Sequence, residues 1–157
     1  MYRTAVFAIA LISSTAAVSA SPRQFLGDAI KGDNSEVTLG RLIASRGHSA
    51  QVRSYGQTLA RDHSLARSQA AAVARRFRMT PPTSMMPEAR AEYHKLLRMR
   101  GWAFDREVRQ YMINDHHKDI SDFRKQVHSG NRWTSDLARR QLPTLEKHLR
   151  LAQSIRA

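Results

Sequence analysis

Val52-Arg53-Ser54-Tyr55-Gly56-Gln57-Thr58-Leu59-Ala60-Arg61-Asp62-His63 decides the fold. Val52, Tyr55, Leu59 and His63 recur at steps of three and four, the period of one face of an α-helix. Ala66, Ala70, Val73 and Phe77 carry the stripe on, with Gly56 beside it. Ser49 is suited to cap the helix start, because its hydroxyl can accept from an unpaired N–H of the first turn. The helix must end before Thr80-Pro81-Pro82, since a residue preceding proline avoids helical geometry. Small residues at Gly56, Ala66 and Ala70 would let a neighbouring helix approach closely. His63 is the odd member: a polar ring where the stripe calls for an apolar side chain.

The segments on either side have the same period. Pro22 to Arg46 is predicted as the first helix, with Phe25, Ala29, Gly32, Glu36, Leu39 and Ile43 on its inner face. Gly47 is suited to the left-handed position that ends it. After the proline-rich stretch Thr80 to Pro87, predicted to cross the end of the bundle, a short helix runs from Glu88 to Arg98. Gly101 breaks it. Trp102 to Val127 is the third main helix, with Phe104, Val108, Met112, His116, Ile120 and Phe123 in its stripe. Gly130-Asn131 is a turn, and Arg132 to Ile155 is the last helix, with Pro143 predicted to kink it. No alternating strand pattern is present. The expectation is an all-α, antiparallel four-helix bundle with a short extra helix before the third main helix.

Residues 1–20 have a signal peptide's layout: Arg3, an apolar run from Ala5 to Ile12, and the small-residue site Val18-Ser19-Ala20. Cleavage is expected after Ala20, which places the domain at residues 21–157 in the periplasm or outside the cell. The run is too short for a membrane span, so the mature chain is expected to have none. With no cysteine there is no disulfide, and the core alone must hold the fold. The formal charge is +13, and +12 once Arg3 has left. Such a coat invites anionic envelope components. No aromatic-interleaved basic strip points to nucleic acid.

Four polar residues fall on inner faces, one per main helix: Glu36, His63, His116 and His148. At 1.5 Å rise per residue, Glu36 and His63 stand about 17 and 23 Å from the Gly47 turn, and His116 and His148 about 21 and 27 Å from Gly130. They can meet at mid-bundle if the second and third main helices are antiparallel neighbours. Imidazoles and a carboxylate converging in a dry core suit one divalent transition metal such as Zn, Fe or Mn. Asp62 and Asp115 each precede an interior histidine. They point about 100° away from it, so each is better placed to orient a histidine of another helix. Two other readings stand beside this one: a hydrogen-bonded polar layer that fixes register, and a position of His63 and His116 at the solvent boundary. A carboxylate-bridged di-iron centre is not expected, because no Glu-x-x-His occurs. No nucleophile elbow or phosphate-binding glycine loop occurs either, so no catalytic residue is assigned.

The ordered set Phe25-Leu26, Asn34, Glu36-Val37, Leu39-Gly40, Val52, Tyr55, Leu59, Asp62-His63, Phe104-Asp105, Asp115-His116, Gly130, Leu142-Pro143-Thr144-Leu145 and His148-Leu149 resembles the exported bacterial family called domain of unknown function 4142. The resemblance spans nearly the whole mature chain. It implies a ferritin-like bundle and singles out the same Glu, Asp-His, Asp-His and His positions, without supplying a reaction. Three functions remain: an exported metal-binding bundle, a basic envelope-interaction or stress-protective module with a purely structural polar layer, and a metal-dependent oxidoreductase.

Overall fold

The computed structural model describes residues 20–156. Nearly all of the expected signal segment therefore lies outside the described residues. The described residues form five helices: α1 (Pro22–Arg46), α2 (Ala50–Arg76), α3 (Pro87–Leu97), α4 (Gly101–Val127) and α5 (Arg132–Ser154). Their ends follow local chemistry. Ser21, Ser49 and Asn131 accept from the first-turn N–H groups of α1, α2 and α5. Gly101 and Gly130 hold positive φ where the chain breaks and turns. No described helix is long and apolar enough to cross a membrane.

α1 and α2 form one tight hairpin and α4 and α5 a second, joined chiefly through α2 and α5. Two glycines set the first hairpin's spacing. A Cβ on Gly56 would lie 2.4 Å from the Ala44 nitrogen, and one on Gly40 would lie 2.8 Å from the Gly56 carbonyl oxygen. Gly47 has φ −51, so the left-handed ending expected there is not adopted. Glycine is needed instead for space, since a Cβ would lie 2.8 Å from Val52 and 2.9 Å from the Ile43 oxygen. Buried Asp105 locks this turn to α4 by accepting from the His48 and Ser49 N–H groups, each at 2.8 Å. α5 runs through Pro143 without a break.

Two further expectations change. The proline-rich stretch does not cross the bundle's end. Asn34 Nδ2 donates to the Pro82 and Ser84 carbonyls, and Met86 N–H donates to Ser35, so this segment climbs the flank of α1. Met85 and Met86 pack on the core there. The climb returns the chain to the Gly47 end before α4 begins. α2 and α4 therefore run parallel, not antiparallel, and the antiparallel packing is between α2 and α5. The apolar interior is split in two. One cluster holds Leu39, Ile43, Tyr55, Leu59, Phe104 and Met112, the other Phe25, Ile30, Val73, Ile120, Phe123 and Leu145. Between them lies a polar layer.

Candidate metal centre

His63, His116 and His148 come from α2, α4 and α5 and meet in that layer. They are 3 %, 0 % and 0 % exposed, which removes the solvent-boundary reading. The ring centroids are 5.0 Å apart for His63 and His148, 5.4 Å for His116 and His148, and 6.0 Å for His63 and His116. One ring nitrogen from each lies within 4.8 Å of the other two.

Each ring spends one nitrogen outward. His116 Nδ1 donates to the Met112 carbonyl oxygen at 3.0 Å. His148 Nε2 donates to Asp62 Oδ2 at 3.0 Å. His63 Nδ1 lies 2.9 Å from Asp33 Oδ1. The other nitrogens, His63 Nε2, His116 Nε2 and His148 Nδ1, are buried and have no hydrogen-bond partner. A carbonyl can only accept, so the neutral His116 ring carries its proton on Nδ1 and a lone pair on Nε2. His148 is the mirror case, with its lone pair on Nδ1.

Electrostatics keeps the His116 and His148 rings neutral. Burial, then the neighbouring His63 and His148, pushes His116 well below its ordinary value. Burial and His63 bring His148 down to about 4 against the pull of Asp62. Burial works against the Asp62 carboxylate, but hydrogen bonds from Lys147, His148 and Arg61 outweigh it and hold Asp62 below the usual range. Burial raises Asp33, opposed by its hydrogen bond to His63.

Glu36 is not gathered with the three rings. It is 2 % exposed, and neither carboxylate oxygen has a donor in hydrogen-bond geometry. Burial, then Asp115 and Asp119, pushes it well above the ordinary carboxylate range. Asp115 does not hydrogen-bond a histidine. It belongs with Glu36, and burial raises it as well, opposed by His63. Asp33 and Asp119 had no place in the sequence reading. The signal that could have found them is spacing. Asp33 lies three residues before Glu36 and Asp119 four after Asp115, each on the same helix face. A cavity of about 1070 Å³ is lined by Asp33, Glu36, Asp62, His63, Asp115 and Asp119, and it touches the histidine centre at His63.

Comparison with known proteins agrees with the helical architecture. The sequence profile described as "Domain of unknown function (DUF4142)" matches residues 10–155. No curated protein matches the chain. The crystal structure of a DUF305 fragment from Deinococcus radiodurans is similar in fold, with TM-score 0.73 and 20 % identity, covering 86 % of this chain and 95 % of that one.

Proposed function

The chain belongs to the DUF4142 family, and from that premise we propose that it is an exported ferritin-like four-helix bundle that binds one divalent transition metal ion through His63, His116 and His148. One observation carries this reading: three buried ring nitrogens face one another without partners while the opposite nitrogen of each ring is engaged. A register-fixing polar layer predicts the reverse, because buried polar groups in such a layer satisfy one another. Metal-ligating histidines, by contrast, characteristically give their second nitrogen to a carboxylate or carbonyl. Asp62, Asp33 and the Met112 carbonyl take those positions.

The distances favour this reading too. The centre of a triangle with 4.8 Å sides is about 2.8 Å from each corner, so small side-chain rotations reach the 2.0–2.1 Å of a Zn–N bond. Three imidazoles leave a fourth position free, as in tetrahedral zinc. An all-nitrogen set favours Zn²⁺ or Cu²⁺ over Mn²⁺ or Mg²⁺. Glu36 stands outside this set. If residues 1–20 act as a cleaved signal peptide, the domain of residues 21–157 would hold its metal in the periplasm or outside the cell.

Chelator-stripped protein, prepared without a histidine tag, is titrated with Zn²⁺ beside a His63→Ala, His116→Ala double variant. The wild type should take up one Zn²⁺ per chain and the variant none. Equal uptake by both would show that the three rings are not the site.

A further inference from the structure

Beside the histidine centre lies a second group with different chemistry. The two buried oxygens of Glu36 meet no N–H or hydroxyl donor and have only the carboxyl of Asp115 to share a proton with, and the hydroxyls of Tyr55 and Tyr111 are buried and unpartnered. Tyr55 is 4 % exposed, and burial, then the charges of Glu36 and Asp115, pushes its hydroxyl well above the ordinary range. Tyr111 feels the same two carboxylates and stands one helical turn from Asp115, on the same face of α4. Asp119 continues that face one turn further on and lines the cavity with Glu36 and Asp115. Native interiors leave very few such groups without partners, and each one calls for a missing water or ion. Four orphaned oxygens on three helices, facing two further carboxylates, call for a cation.

We infer that Glu36, Asp115 and Asp119, with the Tyr55 and Tyr111 hydroxyls, form a second cation site that takes a hard divalent ion of the Mn²⁺ or Mg²⁺ class. The donors are carboxylate and phenol oxygens, which suit hard cations and not thiophilic ones. Among the described residues only the three histidines bring three ligand atoms within 4.8 Å of one another, so the carboxylate oxygens, taken as a set, stand further apart. A hard ion that keeps several of its waters fits that spacing, and the cavity has room for them. Lys118 is the nearby cation facing Asp115 and Asp119, but it is exposed at the rim and leaves Glu36 uncompensated. In a chain of net charge +13, a cavity lined by eight carboxylates and four basic side chains is the opposite of what the rest of the surface does. This site stands whether or not the histidine centre binds metal.

The test uses full mature protein and Mn²⁺ as the probe. Mn²⁺ is added to protein carrying one equivalent of Zn²⁺, and free Mn²⁺ is followed by its electron paramagnetic resonance signal. Wild type should bind one Mn²⁺ per chain, and bound Mn²⁺ should broaden the ring resonances of His63. A Glu36→Gln, Asp119→Asn variant should lose about tenfold or more in Mn²⁺ affinity and keep its single Zn²⁺. The His63→Ala, His116→Ala variant should lose Zn²⁺ and keep Mn²⁺. If the carboxylate variant does not fold, Asp119→Asn alone is read in the same titration. Absence of Mn²⁺ binding to wild type, or equal Mn²⁺ affinity in the carboxylate variants, overturns the second site. Loss of Zn²⁺ uptake with Mn²⁺ binding intact would overturn only the histidine centre.

Discussion

The histidine centre and the carboxylate chamber are neighbours in one polar layer, yet they solve the problem of burial in opposite ways. Each histidine has an outer partner in Asp33, Asp62 or the Met112 carbonyl, and the inner nitrogens of His116 and His148 are neutral lone pairs. Around Glu36 the oxygens meet no N–H or hydroxyl donor, and the nearest groups are carboxyls, with which Glu36 can share only its own proton. Burying a neutral imidazole with one hydrogen bond costs little. Burying an unpaired carboxylate costs so much that the group takes a proton instead. His116 and His148 are therefore ready ligands at neutral pH, while the chamber must give up protons before it can hold a cation.

The strongest way to break that contrast is to add metal. If the rings are preorganised, Zn²⁺ at 100 times its dissociation constant stabilises the folded chain by about 2.7 kcal/mol. For a domain of this size that raises the melting temperature by about 5–10 °C. The rise should be read by calorimetry against a chelator control, and it should vanish in the His63→Ala, His116→Ala variant. An unchanged melting temperature at saturating Zn²⁺ would place the ion elsewhere or nowhere.

Preorganisation itself is tested at Asp62. Asp62→Asn keeps the shape but removes the charge that holds the His148 ring with its Nε2 proton outward and Nδ1 inward. Losing such an outer partner typically weakens metal binding about 10–100-fold. The Zn²⁺ dissociation constant should rise in that range with the stoichiometry unchanged. A variant that binds as tightly as wild type would mean that packing alone orients the ring.

Proton release separates the two regions next. Calorimetric titrations at pH 7 in buffers of different ionisation enthalpy count the protons released on binding. Zn²⁺ should draw no proton from His116 or His148, which are already neutral. Mn²⁺ should release about one proton per ion, since a raised Glu36 or Asp119 must ionise to bind it. Equal release by both ions would erase the distinction.

How much of this was legible in the sequence depends on what sets each feature. His63, His116 and His148 stood out because each occupies an apolar-face position of its helix, and helical period is a local property. The helix ends were legible for the same reason, through Ser49, Gly101, Gly130 and the prolines. Glu36 was legible as an interior residue, with its height read to within about one turn of His63. The rise that puts Glu36 about 17 Å from the first turn puts Asp33 about 21 Å away, nearer the 23 Å of His63. Asp33 is the residue that pairs with His63. It was hidden because α1 is buried along the continuous run Asp33–Val37, where a stripe cannot be read. On the outer side, Asn34 and Ser35 are covered by the climbing segment that they hold. Those bonds span some fifty residues of sequence and leave no periodic trace.

The smallest expected effect is also the one that shows both regions in a single curve, the stability of the metal-free protein against pH. For His116 and His148 the folded value is lowered, so between about 4 and 6.5 the unfolded chain binds more protons and stability falls as pH falls. Above 6.5 that contribution is complete and constant. For Asp119 the sign is reversed. Burial and Asp115 raise it to about 8, so between its ordinary value of 3.8 and 8 the folded state holds the extra proton. Stability then falls as pH rises, and Glu36 and Asp115 act in the same direction. The interval from 6.5 to 8 isolates the carboxylates. One proton can contribute at most about 1.4 kcal/mol per pH unit, and solvent screening at the partly exposed Asp119 lowers its share over the interval to about 1 kcal/mol. Metal-free wild type should lose melting temperature from pH 6.5 to 8, and Asp119→Asn should lose measurably less, because its amide carries no proton to give up. Between pH 6.5 and 5 the two proteins should differ in the opposite sense: the histidine penalty acts on both, but only in wild type does the Asp119 proton offset it. A variant whose melting temperature tracks wild type across both intervals would mean that Asp119 is solvated and that the chamber carries no stored charge for a cation to relieve.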